Sequence, residues 1–216
     1  MPKNKTLEQK LDEGRQYRRF DVSGAEWRAE GEDEKIVQGY ATVFNAPYEL
    51  WREDDYIVME QVDARAFDDC DMSDVIMQYD HQGRVFARGS NGTLRVGPDD
   101  VGLKIRAELG GTEIGRQLYE EIAGGYTTKM SFGFRVAEDR RETVENYEEG
   151  KVMILRTITR ISRLFDVSAV SLPANDATSI SARAWCDGAI AQVKEEFLVR
   201  EERERQKQKI RILANI

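Results

Sequence analysis

Residues 128–136 read Thr128-Lys129-Met130-Ser131-Phe132-Gly133-Phe134-Arg135-Val136. Met130, Phe132, Phe134 and Val136 alternate with Lys129, Ser131, Gly133 and Arg135. Successive side chains of a strand point to opposite faces, so this stretch predicts a strand with four apolar residues on the core and Ser131 on the other face. Gly133 shares that second face and leaves room beside the serine for a substrate. Taken alone, a strand serine of this kind is commonly an ordinary solvated residue.

The elements on either side follow from the same periodicities. In 112–123, Ile114, Leu118 and Ile122 recur at i, i+4 and i+8, and Gly124-Gly125 follows, which predicts an amphipathic helix. Residues 137–150 are a charged excursion, and 151–160 and 164–172 read as two more strands. Asp166 interrupts the apolar run Leu164-Phe165-Asp166-Val167. A carboxylate there must be exposed, paired or hydrogen-bonded, because burying it alone is costly. Pro173-Ala174-Asn175-Asp176 stops the last strand.

Earlier in the chain, 35–44 and 56–62 read as strands, and Asp63 can cap a short helix through Ala64, Phe67 and Cys70. The apolar run 74–79 delivers His81 at its end. Residues 93–97 and 102–109 read as a hairpin around Gly97-Pro98-Asp99-Asp100, with Gly102 expected to take a positive φ. About seven strands with one or two helices between them predict an α+β domain built on a β-barrel. The expected boundaries are a polar N-terminal arm at 1–33, a central domain at 34–183 and a charged C-terminal helix at 184–216. In that helix Ala189, Val193 and Phe197 recur every four residues, while Arg200 to Lys209 is all Glu, Arg, Lys and Gln.

The net charge of −8, with basic residues interleaved among acidic ones, is a poor match to a nucleic-acid backbone. No stretch approaches the roughly 18 apolar residues of a membrane span. A basic start without an apolar run behind it predicts no secretory signal, so a reducing bacterial cytoplasm is the expected compartment. The chain has two cysteines and no CxxC, and a single histidine, which excludes a multi-histidine metal site. Any imidazole base is therefore His81.

Nucleophilic acyl transfer needs an attacking hydroxyl or thiol, a base for its proton and a third group to orient the base. Ser131 and His81 are the first two candidates. Asp166 is the candidate third group, with Glu142, Glu145 and Asp80 as substitutes. A rival pairing is Cys70 with His81. Asp68, Asp69 and Asp71 surround that cysteine and would raise its thiol pKa rather than lower it.

From about Lys35 to Arg183 the chain resembles the prohead (capsid-maturation) serine proteases of tailed bacteriophages, themselves similar to the herpesvirus protease assemblin. Five segments carry the resemblance in order. They are Gly39-Tyr40-Ala41-Thr42-Val43-Phe44-Asn45; Val62-Asp63-Ala64-Arg65-Ala66-Phe67; His81 with Gly92-Thr93-Leu94 and Asp99-Asp100-Val101-Gly102-Leu103; Lys129 to Phe134; and Asp166-Val167-Ser168-Ala169-Val170-Ser171-Leu172-Pro173-Ala174-Asn175. The resemblance implies a closed or nearly closed antiparallel barrel of about seven strands with surrounding helices. It carries the family's histidine and serine onto His81 and Ser131, and its third catalytic position onto Asp166, where assemblin has a second histidine and phage members more often a glutamate. Gln82 and Phe86-Ala87-Arg88 depart from the family's acid after the histidine and its Leu-Gly-Arg. The backbone N–H groups of Ala174 and Asn175 become candidate oxyanion donors.

The same resemblance implies a serine endopeptidase, free of metal or organic cofactor, acting inside the procapsid. Its substrates would be the scaffold, or scaffold-like N-terminal segment, of the major capsid protein, and the protease itself. Homodimers are an implied partner, as is a packaging role for the C-terminal helix; nucleic acid and membrane are not. A non-catalytic scaffold or capsid chaperone on the same fold is the competing reading. A histidine base must be neutral, so activity is expected to fall below roughly pH 6–7.

Overall fold

The structure, a computed structural model, describes residues 15–20, 28–30, 35–145, 147–170 and 180–214. In chain order its strands are β1 (Gln16–Phe20), β2 (Arg28–Glu30), β3 (Ile36–Val43), β4 (Tyr48–Arg52), β5 (Tyr56–Val62), β6 (Ile76–Tyr79), β7 (Gln82–Arg88), β8 (Leu94–Pro98), β9 (Gly102–Glu108), β10 (Lys129–Val144) and β11 (Val152–Val170). Helix α1 (Glu113–Ala123) precedes β10, and α2 (Ile180–Ala214) follows β11.

The hairpin of β10 and β11 is the spine. The charged residues after Val136 continue β10 instead of looping out, because they meet partners across the hairpin. Glu138 pairs with Arg160 at 2.7 Å and Asp139 with Arg156 at 2.5 Å. The two strands expected over 151–172 are likewise one strand, Val152–Val170. The far edge of β11 is shared: β5 lies parallel to its first half and β6 parallel to its second. One sheet therefore runs β1-β10-β11-β5-β4, with β6 and β7 attached, and a second runs β2-β3-β9-β8.

This overturns the barrel. The sheets are not closed, the larger one is mixed rather than antiparallel, and the described strands number eleven rather than about seven. Two parallel neighbours on β11 require long crossovers. The crossovers lead the chain through β8, β9 and α1 rather than back by hairpin to seal the first sheet. The charged C-terminal helix is one of two α-helices among the described residues, not an addition to a helix-ringed barrel.

The main core lies between the sheets and under α1, with Val37, Leu103, Ile105, Leu118, Met130, Phe132, Phe134, Ile158 and Val167 buried in it. Thr112 caps α1 by accepting the Gly115 N–H at 3.1 Å, and Gly125 ends it with a φ of 75°. A second cluster packs Ala182, Cys186, Ala189, Ile190 and Val193 of α2 on Leu50, Tyr56, Val58 and Ile154. Beyond Phe197 the helix exposes Leu198, Ile210, Ile212 and Leu213. No described helix is long and apolar enough to cross a membrane. The helix expected after Asp63 is a run of turns, in which the Asp63 side chain takes the Arg65 N–H at 2.9 Å. Strands β4 and β7, and β1 and β2 within the stretch expected as a polar arm, are additions to the strands expected from sequence.

Gly102 is needed for a different reason from the one expected. Its φ is not positive; a Cβ there would lie 2.1 Å from the Thr42 carbonyl oxygen on the neighbouring strand β3. Backbone cannot yield as a side-chain tip can. Gly102→Ala is expected to destabilise the fold by about 2 kcal/mol, lowering Tm by about 4–8 °C for a chain of this length. Scanning calorimetry checks this, and an unchanged Tm contradicts the close approach.

Candidate active site

Strand periodicity and cross-strand register assemble one face of the site. On β10, Ser131 stands opposite Ser168 of β11, and Gly133 opposite Asp166. Directly opposed residues share a face, so these four form a patch. The third component arrives from the other edge of β11. Strand β6 runs beside Asp166 to Ala169 and then reverses into β7 through a two-residue turn, Asp80-His81. Both turn residues are left-handed, with φ of 47° and 59°. This is the geometry of a two-residue hairpin whose twist matches its strands, and Asp and His tolerate it better than most side chains. The Asp80 N–H donates to the Ala169 carbonyl at 2.9 Å and ties the turn to β11.

The turn places the imidazole between the other two groups. His81 Nδ1 lies 2.5 Å from Asp166 Oδ1, and Nε2 lies 2.5 Å from Ser131 Oγ. Ser131 and Asp166 are fully buried, and the His81 side chain is 8% exposed. With Nδ1–H donated to the carboxylate, Nε2 presents its lone pair to the serine hydroxyl. That arrangement can deprotonate the hydroxyl as it attacks a carbonyl.

Asp166 has further partners. Ser168 donates to Oδ1 at 2.8 Å, and Arg15 donates to Oδ2. Burial pushes the carboxyl pKa up. The hydrogen bond from His81, the charges of His81 and Arg15 and the Ser168 hydroxyl outweigh it, so the group lies below its ordinary value. Gly133 explains how a carboxylate fits here. A Cβ on it would sit 2.2 Å from Asp166 Oδ2, 3.0 Å from the Tyr17 ring and 3.1 Å from Arg15 Nε. The space the glycine leaves is filled by Asp166, Tyr17 and Arg15, rather than kept open for a substrate. The Tyr17 ring packs against His81 with centroids 4.3 Å apart.

The remaining candidates lie elsewhere. Both His81 nitrogens are taken, leaving none for Cys70. Burial, opposed by a backbone hydrogen bond at Leu164 and aided by Asp71, pushes the Cys70 thiol up to about 11. Glu142 pairs with Arg140 at 3.2 Å and Glu145 with Arg200 at 2.6 Å, both toward the far end of β10. Asp80 contributes its backbone to the turn. Ala174 and Asn175 lie outside the described residues. The sequence reading missed Ser168, Arg15 and Tyr17. Ser168 was signalled by its position two residues after Asp166, on the same strand face. Arg15 and Tyr17 sit in the polar arm, where no periodicity marks them. Among the described residues no group of three or more His, Cys, Asp or Glu is placed to hold a metal ion.

The model of one protein family, described as caudovirus prohead serine protease, matches residues 23–194, a span that includes His81, Ser131 and Asp166. The match covers most of the chain, and the chain belongs to that family. No curated protein and no solved structure matched it.

Two predictions follow from the packing around Asp166. Gly133→Ala must displace the carboxylate, and a misplacement of about 1 Å costs on the order of a hundredfold in rate. Peptidase assays on folded variant are expected to show that loss, and full activity would exclude the packing described. The second concerns acid. A carboxyl held below its ordinary value adds stability that is complete above about pH 4 and is lost as pH falls through the lower folded value. The stability gap between wild type and Asp166→Asn, measured by urea unfolding, is therefore expected to hold constant above about pH 4 and to narrow progressively as pH falls below it.

Proposed function

We propose that this prohead serine protease uses Ser131 as nucleophile, His81 as general base and Asp166 as the group that orients His81 and stabilises its cation. One observation carries the reading. A single buried imidazole bridges a serine hydroxyl and a carboxylate at 2.5 Å on each side. On this reading His81 Nε2 takes the Ser131 proton as Oγ attacks a peptide carbonyl. His81 then returns that proton to the departing amine, and water releases the acyl-enzyme. The proposed oxyanion donors are the backbone N–H groups of Ala174 and Asn175.

The proposed substrates are the scaffold, or scaffold-like N-terminal segment, of the major capsid protein, and the chain itself. The proposed place of action is the procapsid in the host bacterial cytoplasm. Residues 34–183 are the proposed protease unit, and 184–216 a proposed packaging helix that binds capsid protein or scaffold. The outward apolar side chains of α2 beyond Phe197 support that last assignment.

Co-expression with the capsid protein of its own phage tests the reading, with products weighed intact. Wild type is expected to shorten the capsid protein. Ser131→Ala is expected to leave it whole, since losing such a nucleophile costs about four or more decades of rate. Cutting by both chains would place the nucleophile elsewhere. Cutting by neither, with assembly still dependent on the chain, would make it a scaffold built on a protease fold.

A further inference from the structure

The nucleophile is buried by the chain's own N-terminal strand. Strand β1 pairs antiparallel with the start of β10, from Gln16 opposite Phe134 to Phe20 opposite Met130, with Arg19 opposite Ser131. An extended peptide docks on a sheet edge in this way, its main chain giving affinity and pockets for alternate side chains giving specificity. Ser131 Oγ also donates to the Arg18 carbonyl oxygen at 2.7 Å. A carbonyl bond is about 1.23 Å long, so the Arg18 carbonyl carbon lies within about 4 Å of Oγ. That is a short step from the roughly 3–3.5 Å of a reacting pair. The hydroxyl has one hydrogen, and while the Arg18 carbonyl accepts it His81 does not, so the pose is a resting one.

The side chains of β1 are read alternately. Arg15, just before the strand, and Tyr17 lie on the catalytic face against Asp166 and His81. Arg18 points the other way into an enclosed pocket and is fully buried. There its Nε donates to Glu60 Oε1 and its Nη2 to Glu60 Oε2 at 3.0 Å, with Nη2 also 2.9 Å from Gln16 Oε1. Glu60 is held ready for this. Arg156 Nη1 bonds its Oε2 at 2.9 Å, and Tyr48 donates to its Oε1. Arg156 is also paired with Asp139 at 2.5 Å. Without β1 the two carboxylates face one guanidinium, so the empty pocket holds an uncompensated negative charge and two fixed oxygens. A planar fork of donors fits that geometry better than any other side chain.

The geometry points to β1 as the protease's own substrate strand, to the Glu60 pocket as an arginine-specific subsite for the residue on the acyl side, and to Arg18–Arg19 as the bond cut. The inference rests on the Ser131, His81 and Asp166 reading. The Ser131 hydrogen swings to His81 Nε2 as Oγ bonds to the Arg18 carbonyl carbon. The carbon–nitrogen bond to Arg19 then breaks, and the Arg19 amine takes the proton from His81. Water hydrolyses the Arg18 ester and leaves Arg18 as a free carboxylate. Departure of the fragment ending at Arg18 opens the β10 edge and the Glu60 pocket to arginine-bearing segments of other chains.

The test uses the purified full chain. Intact mass and N-terminal sequencing follow it over time, a fluorophosphonate reports whether Ser131 is reactive, and two peptides spanning residues 13–22, one native and one with Arg18→Leu, serve as substrates in trans. Wild type is expected to shed the segment ending at Arg18 and begin at Arg19, while Ser131→Ala stays whole. The native peptide is expected to be cut between its arginines with kcat/KM at least about tenfold above the leucine peptide, the scale of a lost charged hydrogen bond. In Glu60→Gln that ratio is expected to fall toward one. Because the ratio is taken within one preparation, loss of folded protein does not affect it. A reactive Ser131 with a start that stays uncut or is cut elsewhere, or with both peptides cut alike, overturns this inference and leaves the protease reading standing. An unreactive Ser131 with nothing cut overturns both.

Discussion

The pairing of Gly133 with Asp166 across the central hairpin is the contact on which the rest of the site depends. Strand β10 commits Met130, Phe132 and Phe134 to the core, so Ser131 and Gly133 have only the opposite face. A slip of one residue in register would send Asp166 to the core side. Immediately beyond this pair the register shifts, with Gly133 opposite Asp166 but Phe134 opposite Leu164. The extra residue, Phe165, forms a bulge, the usual device for re-aiming side chains beside a site. Its ring is surrounded by the guanidiniums of Arg15, Arg135 and Arg163 at 4.7–5.4 Å. The bulge lets the strand satisfy the alternation of the candidate-site face on one side and that of the core on the other.

Among the described residues two carboxylates are buried, Asp166 at the site and Glu60 beside it, and the N-terminal segment sends an arginine to each, Arg15 just before β1 and Arg18 within it. Burial raises the pKa of both, and cationic partners more than reverse it. For Glu60 these are the charge and hydrogen bond of Arg18, then the charge of Arg156, with the Tyr48 hydroxyl adding to them. Neither carboxylate depends on β1 alone. Asp166 keeps His81 and Ser168, and Glu60 keeps Arg156 and Tyr48. Leaving a buried charge with no partner costs several kcal/mol. Here Arg156 and Tyr48 at Glu60, and His81 and Ser168 at Asp166, keep each carboxylate hydrogen-bonded without the N-terminal arginines, although one net negative charge then remains in the Glu60 pocket.

Much of this was legible in residue pattern and family resemblance, and the gaps have physical causes. The alternation through Ser131, the lone histidine and the acid inside Leu164-Phe165-Asp166-Val167 are local signals, and the structure brings those three side chains together. The barrel was wrong because closure depends on which edges pair. A run such as Tyr56–Val62 is equally apolar whether its neighbour on β11 runs parallel or antiparallel. The extension of β10 through Glu138, Asp139 and Arg140 reads in sequence only as a charged excursion, because charge alone gives no hint that Arg156 and Arg160 wait opposite. Arg15, Tyr17 and Arg18 were invisible for a related reason. A strand whose side chains are satisfied by distant carboxylates and a histidine ring reads, in sequence, as a polar arm.

Arg156 joins the larger sheet to the C-terminal helix. Its guanidinium bonds Glu60 and Asp139, and the same group lies over the Trp185 ring of α2 at 4.5 Å. Cys186 packs beside Trp185, fully buried, in the cluster that seats α2 on β4, β5 and β11. The first turns of the helix therefore form part of the wall behind the Glu60 pocket. A cation held between two carboxylates and an indole face is restrained in both position and tilt, which is what a bidentate subsite requires. Seating α2 and shaping the pocket are one packing problem. The half of the helix beyond Phe197 exposes Leu198, Ile210, Ile212 and Leu213 and lies outside the packed cluster, whereas Trp185 in the buried half touches the arginine that bonds Glu60.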